Sequence, residues 1–136
     1  MTLRMPTSVL DASALLALMQ DEAGADRVER AIAEGALAST LNWAEVLSRL
    51  VQAGGDPFEI TTRALPAEGV GDLVLVPFDI EQARETARLR RPTRSLGLSL
   101  ADRAALALAR LRGLPVLTTD RAWRSMRLAI KIEVIR

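Results

Sequence analysis

Four acidic residues lie in apolar surroundings where predicted strands and helices meet: Asp11, Glu45, Asp102 and Asp120. In a parallel α/β sheet the carboxyl ends of the strands lie along one edge, so acids that follow strands can converge there. Carboxylates that converge without His or Lys beside them repel one another, and a divalent cation relieves that repulsion. The pattern therefore predicts a carboxylate site suited to a hard metal ion.

The composition leaves carboxylates as the main groups for acid and base chemistry. The 136 residues include no Cys and no His, which excludes disulfides, thiolate nucleophiles, Cys-based zinc sites and the usual general base. A hydrophobic fraction of 49% with 26% charged residues is typical of a globular domain that buries a core. No apolar run approaches the roughly 20 residues that span a bilayer, and residues 1–7 lack signal-peptide features. We therefore expect a cytoplasmic protein without a membrane segment.

Short apolar strands alternate with helices along the chain. Strands are predicted at residues 9–10, 36–40, 73–76, 115–118 and 130–135. Helices are predicted at residues 12–20, 25–34, 42–53, 57–64, 79–90 and 99–112, with a helical turn around Trp123 and breakers at Pro66 and Gly69. Strands joined through helices form right-handed βαβ units. The pattern thus predicts an α/β fold, in which helices cover both faces of a mainly parallel sheet.

Structural roles also account for three of these acids. Asp11 and Asp120 stand where ordinary helix N-caps stand. Glu45 lies four residues before Arg49, and a surface ion pair at that spacing is worth roughly 0.3 to 0.5 kcal/mol. Asn42, three residues before Glu45, has the spacing of a capping interaction at the start of the same helix. The metal site and these structural roles both remain open from the sequence.

Among the four acids, burial is predicted most strongly for Asp102. Its helical neighbours at three, four and seven residues are apolar, so its carboxylate is expected along the buried face: Ala105, Leu106 and Ala109. Arg103 and Arg110 are expected on the other face. A buried lone charge needs a cation or a cap, and Ser99 stands at capping-box spacing before Asp102.

Charge is distributed unevenly although the net charge is only +1. Residues 1–83 carry 13 acids and 5 bases, whereas residues 84–127 carry 11 bases and 3 acids. One interpretation is a pair of surfaces that attract each other or a partner. The other is a polyanion-binding flank, because all but one of the 18 bases are Arg, which suits bidentate phosphate contacts. Four arginines are crowded before the last long helix: Arg88, Arg90, Arg91 and Arg94.

The sequence resembles the PIN domains, and more narrowly the VapC toxins of VapBC toxin–antitoxin pairs. The resemblance lies in residues 9–18 (VLDASALLAL), 38–50 (ASTLNWAEVLSRL) and 96–123 (LGLSLADRAALALARLRGLPVLTTDRAW). It implies a three-layer α/β/α fold, with residues 1–136 as one PIN-like domain. It also implies an endoribonuclease dependent on Mg²⁺ or Mn²⁺, whose catalytic and metal-binding acids correspond to Asp11, Glu45, Asp102 and Asp120.

The resemblance extends to supporting residues and partners. Ser13 and Thr118 match small hydroxyl positions that order the acids in the family, and Asn42 stands where many relatives carry another small polar residue. An antitoxin of the VapB type that blocks the site, and a homodimer, are implied as partners. Carboxylate-held metal ions can activate water for in-line attack on a phosphodiester without His or Cys.

An RNA substrate would also give the arginine-rich flank a function, because Arg88, Arg90, Arg91 and Arg94 can contact its phosphates. Aromatic residues make up only 3% of the chain, which predicts recognition of RNA shape and backbone more than stacking on bases.

Two other classes of function remain as alternatives. A phosphatase of the haloacid dehalogenase type is one, but its chemistry requires a second Asp two residues after the first, where this chain has Ser13. The other is a non-catalytic module that keeps the fold and uses its acidic edge to capture an arginine-bearing peptide.

Overall fold

The computed structural model describes residues 5–64 and 73–136. Five strands form one sheet: β1 Ser8–Leu10, β2 Ala36–Ser39, β3 Leu73–Val76, β4 Val116–Thr118 and β5 Ile132–Val134. Six helices connect and cover them: α1 Ala12–Met19, α2 Ala25–Glu34, α3 Thr40–Gln52, α4 Pro57–Ala64, α5 Ile80–Arg88 and α6 Leu100–Arg112. Short 3₁₀ turns occupy Arg94–Leu96 and Arg121–Ser125. The predicted breakers Pro66 and Gly69 lie outside the described residues.

The sheet confirms the predicted α/β fold. All four strand pairs are parallel, and the spatial order is β3-β2-β1-β4-β5. From β1 the chain therefore builds one half of the sheet through β2 and β3, and then returns to the other side of β1 with β4. Ligands of open α/β sheets bind outside the carboxyl ends of the strands at such a reversal of order.

Alternate residues of the central strands face opposite layers of helices. Leu10 and Leu117 pack into a core with residues of α1, α2 and α3. Val9 and Val116 point to the other side, into a second core with residues of α6 and Trp123. Val9 and Leu10 are fully buried, and burying an aliphatic side chain of this size stabilises the fold by about 1.5 to 3 kcal/mol. The residue that follows Leu10 is thereby fixed at the centre of the sheet edge.

The first turn of α3 differs from the prediction. Ser39 is its N-cap, and the Oγ of Ser39 accepts a hydrogen bond from the Leu41 amide at 3.1 Å. The predicted capping role of Asn42 is wrong, because Asn42 lies within the helix and is fully buried. The run Ser39-Thr40-Leu41-Asn42 offers several N-cap side chains. The helix starts at the earliest of them because Ser39 ends the strand.

The environment of Arg103 also differs from the prediction. Expected on the exposed face of α6, it has only 7% of its surface accessible, and it belongs to a continuous buried stretch that reaches Ala109. The helix packs against α5 and α3 as well as the sheet, so little of its circumference meets solvent. Within the described ranges, no helix is both long and apolar enough to cross a membrane.

Candidate functional site

A cleft of about 420 Å³ opens at the carboxyl edge of the sheet, where β1 and β4 end. It brings together the four acids singled out from the sequence, which lie far apart along the chain: Asp11, Glu45, Asp102 and Asp120. The lining also includes Ser13, Arg49, Ser99 and Thr119. Each acid comes from a different junction, so the convergence results from the parallel topology.

Asp11 occupies the floor of the cleft with only 2% of its surface exposed. It is the N-cap of α1, and its Oδ1 accepts from the Ala14 amide at 2.8 Å. Two hydroxyl groups also donate to the carboxylate, Ser13 to Oδ1 at 2.6 Å and Thr118 to Oδ2 at 2.6 Å. Both oxygens of Asp11 are thus fixed in direction before any ligand binds.

Ser13 and Thr118 join the start of α1 to the end of β4. Their hydroxyl oxygens are 3.3 Å apart. The Thr119 amide donates to Ser13 Oγ at 3.0 Å, and the Asp120 amide donates to Thr118 Oγ1 at 3.1 Å. The two hydroxyl groups therefore orient Asp11 and also fix the backbone that carries Asp120.

Asp102 and Asp120 are helix caps as well as cleft residues. Asp102 completes the predicted capping box, because its Oδ2 accepts from the Ser99 amide at 3.0 Å while Ser99 Oγ accepts from the Asp102 amide at 3.1 Å. Asp120 Oδ1 accepts from the Ala122 amide at 3.0 Å. Each cap uses one carboxylate oxygen. Among the described residues, the other oxygen of each acid has no hydrogen-bond donor.

Glu45 differs from the other three acids because no donor holds it. In the described part of the chain its carboxylate has neither a hydrogen bond nor an ion pair. The predicted surface pair with Arg49 is not formed within salt-bridge distance, although Arg49 lines the same cleft. The participation of Arg49 was missed from the sequence; its i+4 spacing from Glu45 was the available signal.

Burial, together with the charge of Asp102, raises the pKa of Asp11 and of Glu45. Burial raises the pKa of Asp11 to about 6, against the three hydrogen bonds that lower it, and the negative charge of Asp102 adds to the rise. The pKa of Glu45 is also raised, first by burial and then by Asp102, while Arg49 opposes the shift. The ionised forms of Asp11 and Glu45 are therefore destabilised relative to water, which a cation would reverse.

The donor chemistry fits a hard divalent ion. Mg²⁺ prefers carboxylate oxygens and water, and the cleft supplies four carboxylates without competing nitrogen or sulfur ligands from His or Cys. Among residues 5–64 and 73–136, however, no three acids are grouped closely enough to form a ready metal cage. A bound ion would therefore draw the acids together or keep several water ligands, which is usual for Mg²⁺.

Asn42 lies beneath the cleft and is not part of its lining. Its Nδ2 donates to the Ala101 carbonyl at 2.9 Å, while no partner for its buried Oδ1 is found in the described residues. The contact fixes the start of α6 against α3, next to Asp102. The structure thus places Asn42 in contact with the residue before Asp102.

The four arginines of the basic flank are all exposed, but they lie in different environments. Arg88 forms a bidentate ion pair with Glu85, with Nη2–Oε1 and Nε–Oε2 distances of 2.5 and 2.9 Å. Arg90 and Arg94 line a small cavity beside α6. Arg91 is exposed outside that cavity.

An apolar groove of about 660 Å³ lies apart from the acids, between α1, α2, α3 and α4. Its lining includes Leu15, Leu18, Met19, Ile32, Trp43, Leu50 and Ile60. Sequence reasoning did not identify this groove, because its residues follow the same helical periodicity as the core.

The fold and the cleft together define an α/β protein with four acids at the switch point of a parallel sheet. The family model of the PIN domain matches residues 8–128. This chain belongs to the PIN domain family. Among curated proteins, no sequence is significantly similar to it.

Solved structures of toxin–antitoxin proteins share the fold. A toxin–antitoxin complex from Klebsiella pneumoniae is 20% identical over 88% of this chain and 92% of that chain, with a TM-score of 0.67. DNA-bound VapBC from Salmonella typhimurium is 17% identical over 95% and 98%, with a TM-score of 0.68. VapC20 from Mycobacterium tuberculosis, a toxin that cleaves the sarcin–ricin loop, is 14% identical over 88% and 94%, with a TM-score of 0.67. At these identities the likeness concerns the fold.

Proposed function

We propose that this chain is a divalent-metal-dependent endoribonuclease and the toxin of a VapBC-type pair. The observation that carries the proposal is the convergence of Asp11, Glu45, Asp102 and Asp120 on one cleft at the switch point of a PIN fold. PIN-family membership also argues against the phosphatase alternative. The similarity to VapC20 and to toxin–antitoxin complexes supports RNA as substrate and an antitoxin as partner.

The four acids would hold Mg²⁺ or Mn²⁺ through carboxylate oxygens at the cleft. When bound, the ion supplies a water of lowered pKa and neutralises charge on the phosphate. Asp11 brings a carboxylate whose direction is fixed by Ser13 and Thr118. In the part of the chain that the structure describes, Glu45 has no protein donor, and its pKa is raised, so its carboxylate is suited to accept a proton from attacking water.

Exposed arginines beside the cleft supply the electrostatic attraction for an RNA backbone. Arg90, Arg91 and Arg94 present positive charge on the approach to α6, whereas Arg88 already shares its charge with Glu85. Phosphate contacts of this kind position a nucleic acid without reading its bases. We therefore propose that affinity comes mainly from the backbone and shape of the RNA.

A VapB-type antitoxin would bind across the apolar groove and the acidic cleft. The groove between α1 and α4 is lined mainly by aliphatic side chains, which suits the apolar face of a partner helix. An arginine on the same partner would meet the acids of the cleft. We further propose that the protein acts in the cytoplasm and forms a homodimer, in line with the family resemblance.

Cleavage of labelled RNA tests the catalytic proposal. We expect purified protein to cleave RNA with Mg²⁺ or Mn²⁺ and to lose this activity in EDTA. Asp11→Asn and Asp102→Asn are expected to reduce cleavage at least about 100-fold, because each removes a charge that would hold the ion. Asp26→Asn is the matched control, since Asp26 is an exposed acid on α2. Cleavage that survives EDTA, or that both cleft variants retain, overturns the proposal.

Metal binding can be measured without catalysis. A ligand that binds only the folded state stabilises it by about 2.7 kcal/mol at 100 times its dissociation constant. Mg²⁺ should therefore raise the melting temperature of the parent protein and of Asp26→Asn, but not that of Asp11→Asn. Equal shifts in all three proteins would place the ion elsewhere. A metal-dependent shift without any RNA cleavage would favour the non-catalytic partner-binding alternative.

A further inference from the structure

A second polar cavity, of about 80 Å³, lies beside the start of α6. Three arginines line it together with a short loop: Arg90, Thr93, Arg94, Gly97, Leu98 and Arg103. No carboxylate is part of this lining. The cavity is therefore a site of concentrated positive charge, in contrast to the acidic cleft.

Arg103 is the buried component of this cavity. It is 7% exposed, and its Nη1 donates to the Thr86 carbonyl at 2.9 Å. Among the described residues, the other N–H groups of this guanidinium have no protein acceptor and no acid within ion-pair distance. None of its nitrogens is among the buried unpaired atoms of the described residues, so the remaining N–H groups open to the space of the cavity. Its free donors thus favour an anion in the cavity.

Nearby arginines show how a satisfied guanidinium is arranged on this surface. Arg88 forms its bidentate pair with Glu85, and Arg110 lies 3.4 Å from the same carboxylate. Arg90 and Arg94 have no such partner among the described residues. Glu85 therefore pairs with arginines on one side of this basic region, and within the described residues no acid lines the cavity side.

The size of the cavity restricts what could bind there. A volume of about 80 Å³ corresponds to roughly two or three water molecules at about 30 Å³ each. A single tetrahedral oxyanion such as a phosphate group is of comparable size. Guanidinium groups also match phosphate oxygens in geometry, because their N–H donors form a planar fork.

The cavity and the acidic cleft lie on either side of the start of α6. Leu98 lines the cavity and the next residue, Ser99, lines the cleft; Asp102 lines the cleft and Arg103 the cavity. The two sites therefore share the first turn of α6.

We propose that Arg90, Arg94 and Arg103 bind one phosphodiester group of an RNA strand whose scissile linkage lies in the acidic cleft. This inference rests on the proposed function for the identity of the strand. It adds Arg103 to the binding residues and gives Arg90 and Arg94 a defined ligand.

RNA affinity measured in EDTA tests the phosphate site without cleavage. The variants are the double substitution Arg90→Ala with Arg94→Ala, and Arg103→Gln. The control is Arg30→Ala together with Arg112→Ala, which removes the same charge from exposed positions away from the cavity. Loss of one phosphate contact lowers the salt dependence of log K by about 1. We expect this change, with about a tenfold weaker affinity, for the cavity variants only. Cavity variants that behave like the control overturn the proposal.

Arg103→Gln can also disturb the contact with Thr86, so folding is checked by thermal melting. Arg90 and Arg94 are exposed, and their double variant decides the outcome if Arg103→Gln does not fold. RNA oligomers with a 5′-hydroxyl or a 5′-phosphate separate the sources of the anion. Weakening with both oligomers supports a phosphodiester, whereas weakening only with the 5′-phosphate oligomer overturns it in favour of a terminal phosphate.

The two proposals can fail separately. RNA that binds through the cavity in EDTA but is never cleaved with Mg²⁺ leaves the phosphate site standing and refutes the nuclease. Metal-dependent cleavage with unchanged affinity and KM in the cavity variants refutes the phosphate site alone.

Discussion

Hydrogen bonding and burial have opposite effects on the ionisation of the Asp11 carboxylate. As N-cap of α1 it is held by three hydrogen bonds, which favour its ionised form. Burial opposes ionisation more strongly, so its pKa still rises to about 6. A structural cap at the surface would carry no such penalty. The free-energy cost of ionising this buried carboxylate is explained if the cleft binds a cation.

The raised pKa of Asp11 predicts a pH dependence of stability. The pKa is about 6 in the fold and 3.8 ordinarily, so the folded state binds the proton more tightly and stability falls as the pH rises from about 4 to about 6. At about 1.36 kcal/mol per pH unit, the total is roughly 3 kcal/mol. Asp11→Asn lacks this titration. Urea unfolding in EDTA should show that the free energy of unfolding of the variant, relative to that of the parent protein, rises by roughly that amount between pH 3.5 and 7.

Mg²⁺ provides the control for this pH experiment. A cation beside Asp11 favours the ionised carboxylate. The pH-dependent rise in stability of the Asn variant over the parent protein should therefore be smaller when the unfolding experiments are repeated with Mg²⁺. A difference between the two proteins that does not change with pH would contradict the assignment of the penalty to Asp11.

Thr118→Val tests the hydroxyl network with little change in side-chain shape. The substitution removes the donor to Asp11 and leaves the Asp120 amide without its acceptor, at a cost of about 1 to 3 kcal/mol. Residues that orient metal ligands typically contribute 10- to 100-fold in affinity. We expect a correspondingly higher Mg²⁺ midpoint for RNA cleavage. Thr62→Val on the exposed α4 is the matched control, and equal midpoints would argue against an orienting role.

At the scale of elements, the junctions were predictable because caps and apolar runs are local signals. The strand before Asp11 and the capping box of Ser99 and Asp102 follow from adjacent residues. The start of α3 was not predictable, since Ser39, Thr40 and Asn42 can all cap a helix and tertiary packing buried the last of them. Which candidate caps a helix depends on where the strand ends.

Ser99→Ala tests how the capping box of α6 affects the cleft. Loss of the Ser99 hydroxyl exposes the Asp102 amide, which costs about 1 kcal/mol. Asp102 keeps its bond from the Ser99 amide, so we expect a lower melting temperature and only a few-fold loss in cleavage. Ser99→Thr should restore both, because Thr also caps helices. A loss of activity without any loss of stability would instead point to direct contact between Ser99 and substrate.

At the scale of the whole molecule, the charge pattern predicted a basic flank but not which of its arginines are paired and which are buried. The ion pair of Arg88 with Glu85 is an i,i+3 contact within α5, whereas the burial of Arg103 depends on how α5 packs against α6. Helical periodicity predicted an exposed position for Arg103, because the sequence pattern does not show how many elements pack around a helix. The convergence of the four acids was predictable for the opposite reason: a parallel sheet brings the ends of all its strands to one edge.

The apolar groove leads to a prediction about the whole complex. Met19 lines the groove in the last turn of α1, whereas Val51 is exposed near the end of α3 and does not line it. Met19→Lys places a charge against the apolar face of a bound antitoxin, at a cost of several kcal/mol. We expect at least about 100-fold weaker binding of the proposed VapB-type antitoxin, with RNA cleavage retained.

Val51→Lys is the matched control, because it adds the same charge near the end of a neighbouring helix. It should leave both antitoxin affinity and cleavage unchanged. The measurement is isothermal titration of the purified partner, combined with cleavage in its presence. Inhibition by the antitoxin should fail for Met19→Lys and persist for Val51→Lys. If both variants bind equally well, the antitoxin is held elsewhere, and the acidic cleft itself becomes the surface to test.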